Sequence, residues 1–509
     1  MSVLSMFLPT FRSAFLSAAL ILAAGIGHAG DGRLGRDDAR WLERVTYGLD
    51  TATVARLREI GRKRFLEEQL APLDETLPKS VQAQIDALDI SKIPATKLVA
   101  DEVEAQQRIR AMPDGEAKQQ ARKAREELGN EYAYQAMRRH LLRAVYSPAQ
   151  LKEQMDWFWL NHFSVFARKA GVRWLAADYE ERAIRPHALG NFRDLVMATL
   201  THPAMLQYLD NAQNAVGHVN ENYARELMEL HTLGVDAGYT QTDVQELARV
   251  LTGVGIARPD APARPAWRHE FVSDGLFAFY PARHDFGPKT LLGEKIRGHG
   301  FAEVEEAVDL LVSQPACARF VSRKIAEYFV ADTPPPALVE AMARTFQSTH
   351  GNIAAVLRTM FESHEFEASL GGKFKDPMHY VVSSVRLAYD GKPIANERPL
   401  VNWLRGQGEM LFGHQSPDGY PLTETAWASS GQLSRRFEIA RAIGSGTAGL
   451  FVPENGGPPG SGFPNLSNHL FFEAIQPYLS KATIVALDAA KSPQEWNAFL
   501  LASPEFNYR

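Results

Sequence analysis

Cysteine is almost missing from this chain of 509 residues, which contains only Cys317. A lone cysteine forms neither an internal disulfide nor a thiolate metal cage, so neither device stabilises the fold. An excess of basic charge is also missing, because 55 Lys and Arg residues face 60 Asp and Glu residues. That balance lacks the positive surface of a nucleic-acid binder, so we expect no nucleic-acid partner.

Several catalytic signatures are missing as well. The sequence has no His-Glu-x-x-His, no His-x-His, no Gly-x-Ser-x-Gly and no phosphate-binding glycine loop. An acid three residues before a histidine occurs once, at Asp376 and His379. There Pro377 follows Asp376 directly, which predicts a helix cap and a first helical proline rather than a metal site. A buried packing role is predicted for Cys317. The sequence therefore contains no catalytic motif that identifies a reaction.

A strongly apolar run occurs only near the beginning, at residues 14–24 after Arg12. It is followed by Gly27 and Ala29, small residues of the kind that a signal peptidase recognises. This arrangement predicts a cleaved signal peptide at 1–29. The alternative is an uncleaved anchor, but the run is short for a hydrocarbon core of about 30 Å. We expect a periplasmic or secreted protein with no stable membrane anchor after cleavage, and one domain over 30–509.

Helical patterns dominate that domain. Apolar residues recur at spacings of three and four over 36–70, and the charged stretch 101–127 predicts an exposed helix or helical hairpin. Ser147 and Pro148 predict a helix start, and Thr240 with Asp243 predicts a capping box. The fold class expected is mostly α: a large multi-helix domain with a small β-hairpin insertion at about 265–292. A glycine- and proline-rich loop is expected at about 444–468.

The chain resembles the large bacterial family called domain of unknown function 1800 (DUF1800). The resemblance implies an exported, mainly helical protein with no activity common to the family, often encoded beside a sulfatase-like protein. That protein is therefore a candidate partner in the envelope. The segments that carry the resemblance are 157–163, 208–211, 220–234, 239–241 with 246–249, 283–287, 418–421 and 503–506.

The residues most suited to chemistry lie in the segment 220–234 and near 284. Glutamates paired along one helix, or an aspartate orienting a histidine, are typical of general acid–base catalysis. We therefore predict an enzyme with a polar Glu/His/Asp site acting on an extracellular or envelope substrate. The predicted catalytic residues are Glu226, His231, His284 and Asp285, and the predicted binding residues are Asn220, Glu221, Asn222, Arg225 and Trp159.

The cofactor stays unknown, and two possibilities are open. His162, our candidate metal ligand, could share a mononuclear site with His231, His284, Asp285 or Glu226. The segment around His231 also resembles the proximal-histidine helix of plant-type peroxidases, although the bulky Glu229 and Leu230 depart from that pattern.

Non-catalytic alternatives accompany each prediction. The segment 220–234 could be a buried polar network in which Arg225 or Arg249 pairs with Glu226. Asp285 could start an ordinary capped turn in which Gly287 supplies a positive φ. The corresponding function is an envelope binding or scaffold protein that works with the sulfatase-like partner.

Overall fold

The computed structural model describes residues 34–257 and 267–509. Helices dominate both ranges, with small antiparallel sheets between them, so the prediction of a mostly α fold with a hairpin insertion is confirmed. The predicted signal peptide at 1–29 and the first residues of the hairpin insertion lie outside the described residues.

The amino-terminal half consists of helices joined by short turns. Apolar residues at helical spacing bury one face of each, as Leu42 and Val45 do in the first helix and Val54 and Leu57 do in the second. These helices are Arg36–Val45 (α1), Thr51–Leu70 (α2), Lys79–Ala87 (α3), Asp89–Lys92 (α4), Ala95–Ala111 (α5), Glu116–Tyr146 (α6), Gln150–His162 (α7), Val172–Asp178 (α8), Phe192–Thr201 (α9), Pro203–Tyr208 (α10), Asn222–Glu226 (α11) and Gln241–Val250 (α12).

The carboxyl-terminal half continues in the same way after the sheets. The helices there are Ala302–Ser313 (α13), Pro315–Phe329 (α14), Pro336–Ser348 (α15), Ile353–Phe361 (α16), His364–Ala368 (α17), Pro377–Tyr389 (α18), Arg398–Gln407 (α19), Ser430–Gly444 (α20), Lys481–Asp488 (α21) and Pro493–Ala502 (α22). The predicted loop at about 444–468 follows α20 and contains no regular element. Three π-helical segments occur within 34–257 and 267–509, at Tyr179–Ile184, Leu227–Thr232 and Phe471–Ile475.

Helix starts agree with the sequence in most places. Thr240 and Asp243 form the predicted capping box of α12, and the Asp376 carboxylate caps α18 with Pro377 as its first residue. The predicted cap at Ser147 is wrong, because α6 continues to Tyr146 and α7 begins only at Gln150. The charged stretch forms α5 and the exposed first half of α6, which confirms a helical hairpin.

The predicted hairpin pairs Val272–Asp274 (β2) with Phe277–Phe279 (β3), Ser273 lying opposite Ala278. A third strand, Val254–Ile256 (β1), pairs with the other edge of β3 and was not predicted, since three residues carry too little alternation. Thr290–Leu291 (β4) and Glu294–Lys295 (β5) form a separate two-stranded ladder. Strand β1 follows α12 directly, and the loop at 283–287 comes after β3, so the sheet positions this loop near the end of α12.

Residues Leu34–Arg509 form one compact unit. Its hydrophobic core includes side chains from the first helix to the last turn, for example Leu42, Trp159, Leu247 and Phe506. Cys317 is buried in this core, as predicted, and burial raises the pKa of its thiol. Within the described residues, no helix has the length and apolar character needed to cross a membrane.

Candidate functional site

The segment that contains most of the predicted site residues is fixed by amide side chains at its start. The Asn220 side-chain oxygen accepts a hydrogen bond from the Asn222 backbone N–H at 3.0 Å, which forms an Asx turn. The Asn222 side chain donates to the Leu209 carbonyl at 3.1 Å, and the Asn220 N–H donates to the Asn214 side chain at 2.9 Å. These bonds orient α11, which passes into the π-helical segment Leu227–Thr232.

One face of this segment borders an open cavity of about 920 Å³, which we call the polar groove. Four predicted binding residues lie in its wall, and Arg225 is held there by Gln241 at 2.8 Å and by Glu221 at 3.3 Å. Gln241 in turn donates to Glu221 at 2.7 Å, so the charged groups of this wall are fixed in place. The lining residues are Gln213, Ala215, His218, Val219, Asn220, Glu221, Asn222, Arg225 and Arg283.

Glu226 lies one helical turn beyond Asn222, on the same face of α11. Partial burial raises the pKa of its carboxyl, and the nearby charges of Glu229 and Asp418 raise it further. Arg225 pairs instead with Glu221 and Glu229, and Arg249 pairs with Asp285, so neither arginine forms the ion pair with Glu226 that the alternative required. Within the described ranges Glu226 is a half-buried carboxylate without an ion-pair partner.

Asp418 contributes the second carboxylate, and it was missed in the sequence. Partial burial alone would raise its pKa, but hydrogen bonds from Ser416 at 2.6 Å and His414 at 3.1 Å outweigh this effect and lower it. The carboxylates of Glu226 and Asp418 therefore have pKa values shifted in opposite directions. The motif 418–421 was noted as part of the resemblance, but nothing in the sequence placed it beside Glu226.

The loop that carries Asp418 is attached to the core by backbone contacts. Asn161 accepts from the Tyr420 N–H at 2.6 Å and donates to the Tyr420 carbonyl at 2.9 Å. Gly419 adopts φ +72°, and a Cβ there would collide with the Asn161 carbonyl oxygen, so only glycine fits. Tyr208 adds a hydrogen bond to the Gln415 carbonyl at 2.8 Å. Segments distant in sequence are thereby brought to one surface.

His231, His162 and Trp159 lie in the hydrophobic interior. Among the described residues, neither ring nitrogen of His231 has a hydrogen-bond partner, and burial lowers the pKa of this imidazole well below its usual range. His162 donates from Nε2 to the His231 carbonyl at 3.0 Å, and burial lowers its pKa to about 4. Trp159 donates to the Ala188 carbonyl at 3.0 Å. His162 Nε2 is already engaged by the His231 carbonyl, and the Phe163 ring packs against both imidazoles at centroid distances of 4.7 and 5.0 Å, so these residues do not fit a haem.

His284 and Asp285 lie on the loop after β3, in contacts that hold this loop to α12. The Asp285 carboxylate accepts from Arg249 Nε at 2.8 Å and from the Gly287 N–H at 2.8 Å, and mainly the Arg249 bond lowers its pKa to about 2. His284 is buried and donates from Nδ1 to the Thr252 carbonyl at 2.8 Å. The Glu303 carboxylate lies 3.4 Å from its Nε2. The bond from the Gly287 N–H matches the start of the capped turn that was the alternative, but Gly287 does not adopt a positive φ, so that part of the alternative is wrong.

A second group that the sequence analysis missed is buried between α6, α7 and the π-helical segment Tyr179–Ile184. It consists of His140, Asp156 and Glu180, and we call it the buried triad. His140 Nδ1 lies 3.1 Å from Glu180 Oε1 and 3.6 Å from Asp156 Oδ2. Among the described residues, only these three have metal-ligand spacing, so His162 belongs to no such group there. These three residues are far apart in the sequence and form no motif, so the sequence did not indicate that they meet.

Comparison with known proteins gives one finding. A family model described as "Protein of unknown function (DUF1800)" matches residues 40–508, nearly the whole chain. No match to the chain was found among curated proteins or among solved structures.

Proposed function

The chain belongs to the DUF1800 family, for which no activity is known, and from its own residues we propose an exported hydrolase with Glu226 and Asp418 as its acid–base pair. The observation that carries this proposal is the contrast between the two carboxylates: Glu226 is half-buried with no ion-pair partner among the described residues, whereas Ser416 and His414 hydrogen-bond to Asp418. The pKa values of the two groups are displaced in opposite directions accordingly. Two carboxyl groups displaced in this way divide the roles of general acid and ionised base or nucleophile between them. Glu226 was one of the predicted catalytic residues, whereas Asp418 was not.

The roles follow from the surroundings of each carboxyl. The raised pKa of Glu226 lets its carboxyl keep a proton to a higher pH than an ordinary glutamate, so that it can donate this proton to a leaving oxygen. Asp418 stays ionised, and it either removes a proton from the attacking water or bonds to the reacting carbon before water replaces it. In both cases water is added across the cleaved bond, and the proton given by Glu226 is restored.

The polar groove is lined by the start of α11, one helical turn before Glu226, and neither Glu226 nor Asp418 is among its lining residues. As the neighbouring open surface, it indicates the class of substrate. Its wall presents three carboxamides, a carboxylate and two guanidinium groups, which hydrogen-bond to hydroxyl and amide groups. An open groove of about 920 Å³ also suits an extended molecule more than a small enclosed one. We therefore propose a polysaccharide or glycan of the envelope or the exterior as the substrate, cleaved at a glycosidic bond.

The test is hydrolysis by the full chain. Purified protein is incubated with a panel of soluble polysaccharides and with isolated peptidoglycan, and new reducing ends are measured. We expect release from at least one substrate and a loss of about 100-fold or more for Glu226→Gln, the typical contribution of a general acid. Glu438→Gln removes an exposed carboxylate outside the site and serves as the control with unchanged activity.

The pH profile provides a second readout in the same assay. Activity should fall as pH rises through the raised pKa of Glu226 and should fall again below the lowered pKa of Asp418. Full activity of Glu226→Gln, or no new reducing ends from any substrate, contradicts the hydrolase. In the latter case, binding of the same polysaccharides without cleavage would support the alternative, an envelope binding protein that works with a sulfatase-like partner. Hydrogen bonds hold Arg225 and Glu221, together with Gln241, in fixed positions at the wall of the polar groove, and a preformed polar surface of this kind favours the binding alternative.

A further inference from the structure

The buried triad combines ligand types that divalent transition metals accept. It offers one imidazole nitrogen from His140 and one carboxylate oxygen each from Asp156 and Glu180, all within 4.8 Å of one another. Metal–ligand bonds of about 2.0–2.2 Å separate adjacent ligand atoms by about 2.9–3.6 Å in tetrahedral or octahedral sites. The separations of 3.1 and 3.6 Å from His140 Nδ1 to the two carboxylates agree with that range.

An independent observation is the lack of donors around these carboxylates. Asp156 and Glu180 are fully buried, yet both oxygens of Asp156 and Oε2 of Glu180 have no hydrogen-bond partner in the described part of the chain. A buried charged oxygen without a donor is strongly unfavourable, and a bound cation removes that cost. The orphaned oxygens of Asp156 lie beside the imidazole that faces both acids.

The neighbouring arginines have partners of their own. Arg185 Nη1 lies 3.8 Å from Asp156, but its guanidinium binds both oxygens of Glu153 at 2.5 and 2.8 Å. Arg139 approaches Glu180 at 4.0 Å and pairs with Glu181 at 3.3 Å. Neither arginine donates a hydrogen bond to the triad, so the two carboxylates keep free lone pairs.

We propose that His140, Asp156 and Glu180 bind one divalent transition metal ion of the Zn²⁺ or Mn²⁺ type. One nitrogen and two oxygen ligands suit these ions better than Ca²⁺ or Mg²⁺, which prefer oxygen alone. The second oxygens of Asp156 and Glu180, which have no hydrogen-bond partner among the described residues, can complete a sphere of four or more ligand atoms. With all three residues fully buried, such an ion is structural and connects α6, α7 and the π-helical segment Tyr179–Ile184. The site is separate from the proposed acid–base pair.

A proton on His140 would compete with a metal ion for the buried triad. His140 Nδ1 lies 3.1 Å from Glu180 Oε1, so a proton on this nitrogen would occupy the position that faces the ion. A ligand nitrogen must give up its proton before it binds a metal ion. Metal affinity should therefore increase with pH, as it does for any site whose ligands bind in their deprotonated form.

The test measures metal in the folded full chain. Protein is produced in medium supplemented with Zn²⁺ or with Mn²⁺, desalted and analysed by inductively coupled plasma mass spectrometry. We expect about one ion per chain and a higher melting temperature than that of protein unfolded in chelator and refolded without metal. Asp156→Asn and Glu180→Gln should each reduce the metal content at least about tenfold.

Asp178→Asn is the matched control. Asp178 also pairs with a buried imidazole, that of His202 at 3.0 Å, but belongs to no triad, so this variant should keep its metal. Folded wild-type protein without stoichiometric Zn²⁺ or Mn²⁺ overturns the proposal and leaves a network held by a proton alone. Equal metal content in wild type, Asp156→Asn and Glu180→Gln overturns it as well. If a variant fails to fold, the metal content of the folded wild-type protein still tests the proposal.

Discussion

Glu226 and Asp285 are both partly buried carboxylates, yet their neighbours give them different properties. Arg249 and a backbone N–H bind Asp285 and lower its pKa to about 2, as in a structural ion pair. Glu226 has other carboxylates nearby instead, and its pKa is raised. The sequence predicted both as catalytic, because residue type and local spacing do not reveal which arginine will reach which acid.

His162 illustrates the same limit and leads to a prediction about acid stability. Its folded pKa of about 4 lies below the value of about 6.5 in the unfolded chain, so the unfolded state binds the proton more readily. Stability from the neutral imidazole is fully present above pH 6.5 and is lost as pH falls toward 4. The loss should amount to about 3 kcal/mol between pH 7 and pH 4.

Urea unfolding of His162→Gln at several pH values measures this contribution. The variant should lose part of the decline in unfolding free energy between pH 7 and pH 4, whatever its stability at neutral pH. His469→Gln, which changes an exposed histidine, should follow the wild-type profile. An unchanged pH dependence in His162→Gln would show that this imidazole titrates normally in the folded protein.

At the scale of elements, short-range rules predicted most helices and their starts. The capping box at Thr240 was predictable because its hydrogen bonds join residues three apart, and the hairpin at 272–279 because its strands adjoin one turn. Strand β1 and the π-helical segment Leu227–Thr232 were missed. Strand β1 depends on partner residues 21 or more positions away, and the π-helical segment depends on one extra residue within a helical turn.

The capping box supports a quantitative prediction. Thr240 Oγ1 accepts from the Asp243 N–H at 3.2 Å, and the Asp243 carboxylate accepts from the Thr240 N–H at 2.8 Å. Thr240→Ala removes the first bond and should lower the free energy of unfolding by about 1 kcal/mol, measured by urea titration. Thr242→Ala, at an exposed position inside α12, is the matched control and should change stability by less than about 0.5 kcal/mol. Equal effects in both variants would contradict a capping role.

At the scale of the whole molecule, the proposed site depends on contacts between distant segments. Asn161 holds Tyr420, Tyr208 holds Gln415, and Asn222 holds the Leu209 carbonyl, so the motifs that carried the family resemblance meet at one surface. The sequence identified these motifs but could not bring Asp418 to Glu226 or assemble the buried triad. Such pairings follow from the packing of the complete helical body, which no local pattern encodes.

The central claim is that this fold shifts the pKa values of Glu226 and Asp418 in opposite directions. The most direct measurement is a pH titration of side-chain carboxyl carbons by NMR in ¹³C-labelled full-length protein, with resonances assigned through Glu226→Gln and Asp418→Asn. The account predicts that Glu226 titrates above the ordinary glutamate value of about 4.3 and Asp418 below the ordinary aspartate value of about 3.9. Ordinary values for both carboxyls, or the reverse order, would contradict it.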